Sequence, residues 1–126
     1  MKFLILAFFV SISVAVKITP DIIESWEATI APYVEKCKAE SNVNSRHVEK
    51  LKFLEFAEEK EFFCYVKCLY KNIEFIDKNG NINIDQIVKL SIDIDIATKC
   101  KERAEPEGDE CRKAFILLTC IVDYMQ

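Results

Sequence analysis

Apolar residues recur at helical spacing along most of the chain. Thr19 followed by Pro20 and Asp21 reads as an N-cap with proline at the first helical position, and Ile22, Ile23, Trp26, Ile30, Tyr33 and Val34 then follow with the period of one helix face. Pro32 predicts a kink or break in this helix, because proline has no N–H and its ring crowds the preceding turn. The polar stretch over 40–45 predicts a loop, and Val48, Leu51 and Leu54 predict a second, shorter helix. A third helix is predicted over 58–73. Phe62, Phe63, Tyr65, Val66, Leu69 and Tyr70 leave it apolar nearly all round, so it belongs in the middle of the domain. Asn79 and Gly80 mark a turn, and a fourth helix over 85–90 is predicted with Ile84, Ile87 and Val88 on one side.

Leu90, Ile92, Ile94 and Ile96 alternate with polar residues, which is the pattern of a strand. No second alternating run exists to pair with it, and a lone strand leaves its backbone groups without partners. A helix over 93–104 is therefore expected, ended by Glu105, Pro106, Glu107 and Gly108. A last helix begins near Asp109 and carries Ala114, Phe115, Leu117, Leu118, Ile121 and Val122. There are no internal repeats. The fold class is all-α, a compact bundle.

The N-terminus follows another pattern. Met1 and Lys2 form a short basic region ahead of an apolar run from Phe3 to Val10, continued by Ile12 and Val14, and Ser13 and Ala15 are small residues of the kind a signal peptidase reads. Residues 1–15 are read as a signal peptide cleaved after Ala15, in preference to a buried N-terminal helix, and residues 16–126 as one helical domain. No apolar stretch approaches the roughly 18 to 20 residues of a transmembrane helix. The expected location is secreted and extracellular, without stable membrane insertion.

Composition narrows the function classes. With 51% hydrophobic and 30% charged residues, the 126-residue chain has the apolar surface that a disordered one lacks, while 2 Gly and 3 Pro suit a turn-rich β-sandwich poorly. The net charge of −4, without clustered Lys and Arg, argues against a nucleic-acid partner. It also argues against a membrane-disrupting defence protein, which needs an exposed cationic face. His47 is the single histidine and Val48 follows it, so neither a His-Asp hydrolytic pair nor a histidine-cluster pH switch can be assembled, and His47 is read as a solvated residue. Asp77, Asn79 and Gly80 resemble the middle of an EF-hand, but Phe75 and Gln86 occupy the first and twelfth ligand positions. No catalytic residue, cofactor or metal is expected.

Six cysteines, Cys37, Cys64, Cys68, Cys100, Cys111 and Cys120, follow a secretory signal and read as three disulfides. A zinc site is the alternative, disfavoured by the spacing and by an oxidising compartment. Of the fifteen pairings, those joining Cys64 to Cys68 are disfavoured, because an i, i+4 pair leans the same way along one helix face. These two should tether the central helix to two other elements. Cys111 and Cys120 lie on opposite sides of the last helix, which must also be held from two sides.

The gaps between successive cysteines are 26, 3, 31, 10 and 8 residues. This pattern, with the Phe63-Cys64-Tyr65 stretch, the turn over 77–85 and apolar Ala114 and Leu118 between the last two cysteines, resembles the six-cysteine insect odorant-binding proteins, general and pheromone-binding. The resemblance implies the pairing Cys37–Cys68, Cys64–Cys111 and Cys100–Cys120. It implies about six helices around a closed apolar cavity that carries one small hydrophobic ligand, an odorant, pheromone or similar molecule. It also implies a chemosensory receptor as a further partner, and a monomer or weak dimer. Carried over position by position, it places the ligand site on Ile30, Tyr33, Val34, Phe62, Val66, Leu69, Ile73, Phe75, Ile76, Leu117, Ile121 and Tyr124. Tyr33, Tyr65, Tyr70 and Tyr124 are all candidates to offer the ligand a hydroxyl, and the sequence does not choose among them. Trp26 is read as a core or rim residue. The six residues after Cys120 are too few for the inserting C-terminal helix of some pheromone-binding members, so the tail is expected to act as a wall or lid through Tyr124. The alternative is a secreted helical defence or interaction protein with no small-molecule ligand.

Overall fold

The structure, a computed structural model, describes residues 18–126, so the predicted signal peptide and its cleavage point fall outside the described residues. Seven α-helices are described: α1 (Pro20–Ile30), α2 (Val34–Ser41), α3 (Ser45–Lys50), α4 (Lys60–Asn72), α5 (Ile84–Val88), α6 (Ile94–Ala104) and α7 (Glu110–Met125). A 3₁₀ turn at Ala31–Tyr33 joins α1 to α2 as one bent rod, which makes six helical units. Pro32 sits in that turn, where its missing N–H breaks the α-helical ladder.

Side-chain caps set several of the boundaries. The Thr19 hydroxyl accepts from the Ile22 amide at 3.3 Å, with Pro20 in the first turn. Asn44, Asp93 and Asp109 cap α3, α6 and α7 in the same way. Asp93 is decisive for the alternating stretch. Its carboxylate accepts from the Asp95 amide at 2.7 Å and starts a helix, so Ile94 and Ile96 belong to α6 while Leu90 and Ile92 precede it. Asn42 ends α2 in the left-handed region at φ 60°, which asparagine tolerates. Leu54 adopts φ 61° after a 3₁₀ turn at Leu51–Phe53, a strained conformation for a bulky side chain.

Among the described residues there is no sheet, only an isolated antiparallel bridge between Ile76 and Ile82 around a tight turn. In that turn the Asp77 carboxylate accepts from the amides of Asn79 at 2.8 Å and Asn81 at 2.9 Å. Those bonds, Asn81's foremost, hold its carboxyl below the usual carboxylate range. Gly80 takes φ 87°, and its carbonyl accepts from the Lys113 ammonium of α7 at 3.0 Å.

The three disulfides are Cys37–Cys68, Cys64–Cys111 and Cys100–Cys120. They join α2 to α4, α4 to the start of α7, and α6 to α7, so α4 and α7 are each held from two sides. Lys71 of α4 adds an ion pair at 2.7 Å to Glu110 beside the second bridge. The residue two positions ahead of α1 is tied to the end of α7, the Ile18 amide donating to the Met125 carbonyl at 3.0 Å.

Candidate functional site

An apolar cavity of about 380 Å³ lies on one side of the α4–α7 pair. Its wall takes Ile23, Trp26 and Ile30 from α1, Ala31 and Val34 from the bend, and Tyr65, Val66, Leu69 and Tyr70 from α4. Leu118, Ile121 and Val122 of α7 complete the helical part. Three irregular segments close the rest: Val48 to Phe56, the end of α4 through Phe75, and Leu90 with Ile92. Neither α5 nor α6 reaches the wall. The size falls at the lower end of the range of about 300–1,000 Å³ typical of small-molecule sites. The charged wall residues are Glu27 and Lys52, and both are exposed, so they mark a rim open to solvent and the cavity is not fully closed.

The geometry follows from helix periodicity. Ile23, Trp26, Glu27, Ile30, Ala31 and Val34 are spaced by three and four residues, which aligns them as one stripe along the bent rod. On α7, Leu118, Ile121 and Val122 share an arc, whereas the cysteine at 120 points away toward Cys100 of α6. Ser91, at φ 64°, turns outward between Leu90 and Ile92, so both of those side chains reach the wall. The indole of Trp26 donates to the Leu90 carbonyl at 2.8 Å.

Seven of the residues placed at a ligand site from sequence come together here: Ile30, Val34, Val66, Leu69, Ile73, Phe75 and Ile121. Five do not. Phe62 is fully buried one turn before the wall, among the rings of Phe56, Tyr65 and Phe115 at centroid distances of 6.5, 6.2 and 6.3 Å. Ile76, next to Phe75, is fully buried in the core and pairs with Ile82 in the isolated bridge, outside the wall. Leu117 is fully buried, about 100° round α7 from Leu118, which takes the wall position instead. Tyr33 is half-buried in the 3₁₀ turn, where Ala31 and Val34 supply the wall.

Tyr124 corrects the expected lid. The last four residues are the final turn and end of α7, and Tyr124 lies outside, 39% exposed. The Lys99 ammonium and Arg103 guanidinium of α6 stand 5.5 and 5.6 Å from its ring centroid. His47 is not simply solvated either: it is half-buried, with its Nε2 3.4 Å from a Glu59 carboxylate oxygen.

The wall residues not anticipated are Ile23, Trp26, Glu27, Ala31, Val48, Leu51, Lys52, Leu54, Phe56, Leu90, Ile92, Leu118 and Val122, with the two wall tyrosines left undecided among four. The spacing of Ile23, Trp26 and Ile30 carried a signal for the first two. Tyr65 and Tyr70 differ in environment from the other pair. Burial, and secondarily the charge of Glu35, pushes the Tyr65 phenol up to about 12, and burial also raises Tyr70. Among the described residues no group of His, Cys, Asp and Glu is arranged to hold a metal ion.

A family model described as the PBP/GOBP family matches residues 21–124. General odorant-binding protein 57c of Drosophila melanogaster is 28% identical over 102 residues, covering 72% of this chain and 68% of that protein. General odorant-binding protein 19d of the same species is 26% identical over 108 residues, with coverages of 76% and 71%. General odorant-binding protein 72 of Anopheles gambiae is 27% identical over 108 residues, with coverages of 77% and 88%. No solved structure gives a significant match. Because the matched span runs from the first turn of α1 to the last turn of α7 and includes every bridged cysteine, the chain belongs to the PBP/GOBP family.

Proposed function

We propose that this protein is a secreted, non-enzymatic carrier that holds one small hydrophobic molecule in the cavity between α1, α4 and α7. The observation that carries the reading is the wall itself: about 380 Å³ of space lined by aliphatic and aromatic side chains, with charge confined to the rim. Burying ten CH₂ groups there contributes about 8 kcal/mol, which corresponds to roughly micromolar affinity before ordering costs. A void weakens a domain in proportion to its volume, and the three bridges offset that loss by constraining the unfolded chain. The odorant-binding names of the relatives support the same ligand class. Extracellular transport accords with the paired cysteines, and among the described residues no helix is long and apolar enough to cross a membrane. Delivery to a chemosensory receptor belongs to the same reading.

The test is displacement of a fluorescent apolar probe by medium-chain volatiles. A carrier takes up the probe at micromolar concentration and releases it to competitors. A folded, oxidised protein that takes up neither probe nor competitor would overturn the proposal.

A further inference from the structure

The three bridges are not equally shielded. Cys37, Cys68, Cys100 and Cys120 are buried, none more than 7% exposed, so two of the bridges are closed to solvent at both ends. Cys64 and Cys111 are half-buried, and neither lines the cavity. Cations gather round their bridge. The hydrogen bond from Lys71, and then the charges of Lys71, Lys67 and Lys113, hold the Glu110 carboxyl below its ordinary range, so three ammonium groups act on the residue next to Cys111. The carboxylates at the start of α7 are engaged: Glu110 pairs with Lys71 at 2.7 Å, Glu107 with Arg112 at 3.4 Å, and Asp109 accepts from the amides of Cys111 and Arg112. Among the described residues Lys67 and Lys113 form no ion pair, Lys113 donating to the neutral Gly80 carbonyl instead. The Arg112 guanidinium stands 6.0 Å from the Phe63 ring centroid, so it reaches from the residue after Cys111 to the residue before Cys64.

A thiolate opens a disulfide by attacking one sulfur and expelling the other, and access and the acidity of the departing thiol both govern the rate. Cys111 is the second residue of a 16-residue helix, where the N-terminal end of the helix dipole favours a thiolate. Cys64 is the fifth residue of its helix and lacks that setting. We propose that the Cys64–Cys111 bridge is a modification site for small anionic thiols. The incoming thiolate sulfur bonds to Cys64 Sγ, the Cys64–Cys111 bond breaks, and its electron pair leaves on Cys111 Sγ as a thiolate. The product carries a mixed disulfide on Cys64 and a free Cys111, with no oxidant consumed. The bridges from α4 to α2 and from α7 to α6 stay intact, and the Lys71–Glu110 pair still joins α4 to α7, so the exchange is local.

The experiment exposes the oxidised protein to reduced glutathione at neutral pH, quenches samples with N-ethylmaleimide and locates the labels by peptide mass spectrometry. Cys64–Cys111 should open about tenfold faster than either other bridge, with glutathione on Cys64 and maleimide on Cys111 in the first product. Circular dichroism of that product should still report a helical domain. Lys67→Gln should slow the reaction with glutathione and leave that with neutral 2-mercaptoethanol unchanged. Earlier opening of Cys37–Cys68 or Cys100–Cys120, or loss of all three bridges in one step, would overturn the site. Glutathione on Cys111 would overturn Cys64 as the acceptor, and an equal effect of Lys67→Gln on both thiols would overturn the preference for anionic ones.

Discussion

The indole nitrogen of Trp26 donates to the main-chain carbonyl of Leu90 at 2.8 Å, a bond that ties α1 to a segment 64 residues away. Both residues line the cavity, so one hydrogen bond fixes two of its walls relative to each other. It also makes the only tryptophan a reporter. Filling the cavity should shift or quench Trp26 emission in proportion to occupancy. Trp26→Phe should abolish that signal and destabilise the fold by about 1–3 kcal/mol, since the Leu90 carbonyl loses its donor in a half-buried setting. Urea titration followed by circular dichroism measures the loss, and an unchanged midpoint would show that the bond does not hold the wall.

Two apolar positions with similar burial should respond in opposite ways. Leu69 faces the cavity, so Leu69→Trp places the larger ring in empty space: probe affinity should fall at least tenfold while the melting temperature is kept or raised. Leu117 is fully buried and away from the wall, so Leu117→Ala opens a new void and should cost about 2–5 kcal/mol. Parallel thermal unfolding and probe titration separate the two effects.

The difference between those leucines explains what the sequence made legible. Period and cysteine spacing were enough for the helices and, through family resemblance, for the bridges. They also mark Leu69 and Leu117 equally as apolar helix positions. They do not say which apolar face meets a partner and which meets a void, because α4 and α7 are apolar around most of their circumference. Nor does the family resemblance carried over position by position, which puts Phe62 and Leu117 at the wall although both are fully buried away from it. The opposite omission occurs in the irregular segments. Leu54 reaches the wall through a left-handed backbone and Phe56 from a loop, conformations with no periodic signature. The alternation of Leu90 and Ile92 did carry information: in place of a strand it records two side chains facing one way around Ser91.

Alkaline pH should unfold the protein through its buried phenols. The ordinary tyrosine value is 10.0, and burial raises Tyr65 to about 12, so the folded state holds this proton more tightly than the unfolded chain does. The associated stability is fully present below pH 10 and is lost as pH rises from about 10 toward 12. An upper bound for Tyr65 is roughly 3 kcal/mol, and Tyr70 shifts in the same direction. Urea midpoints measured across this window should fall steeply in the wild type and less so in Tyr65→Phe. Phenolate absorbance from both residues in a still-folded protein at pH 11 would contradict the burial of their hydroxyls.

The bridges should be unequal in stability but alike in their consequence for the cavity. Cys64–Cys111 spans 47 residues, Cys37–Cys68 spans 31 and Cys100–Cys120 spans 20. In the chain-entropy model their removal costs about 4.0, 3.7 and 3.3 kcal/mol, an order set by loop length alone. Position adds a second effect. Cys37–Cys68 holds α2 against α4, and Val34 and Val66 beside those cysteines are both wall residues. Cys100–Cys120 instead joins α7 to α6, a helix that contributes nothing to the wall. Replacing Cys37 and Cys68 together by alanine should therefore weaken probe binding more than replacing Cys100 and Cys120, although the two pairs differ by only a few tenths of a kcal/mol in unfolding free energy. Probe titrations and urea curves on the two double variants decide this, and equal loss of binding would mean that the bridges act on the cavity only through global stability.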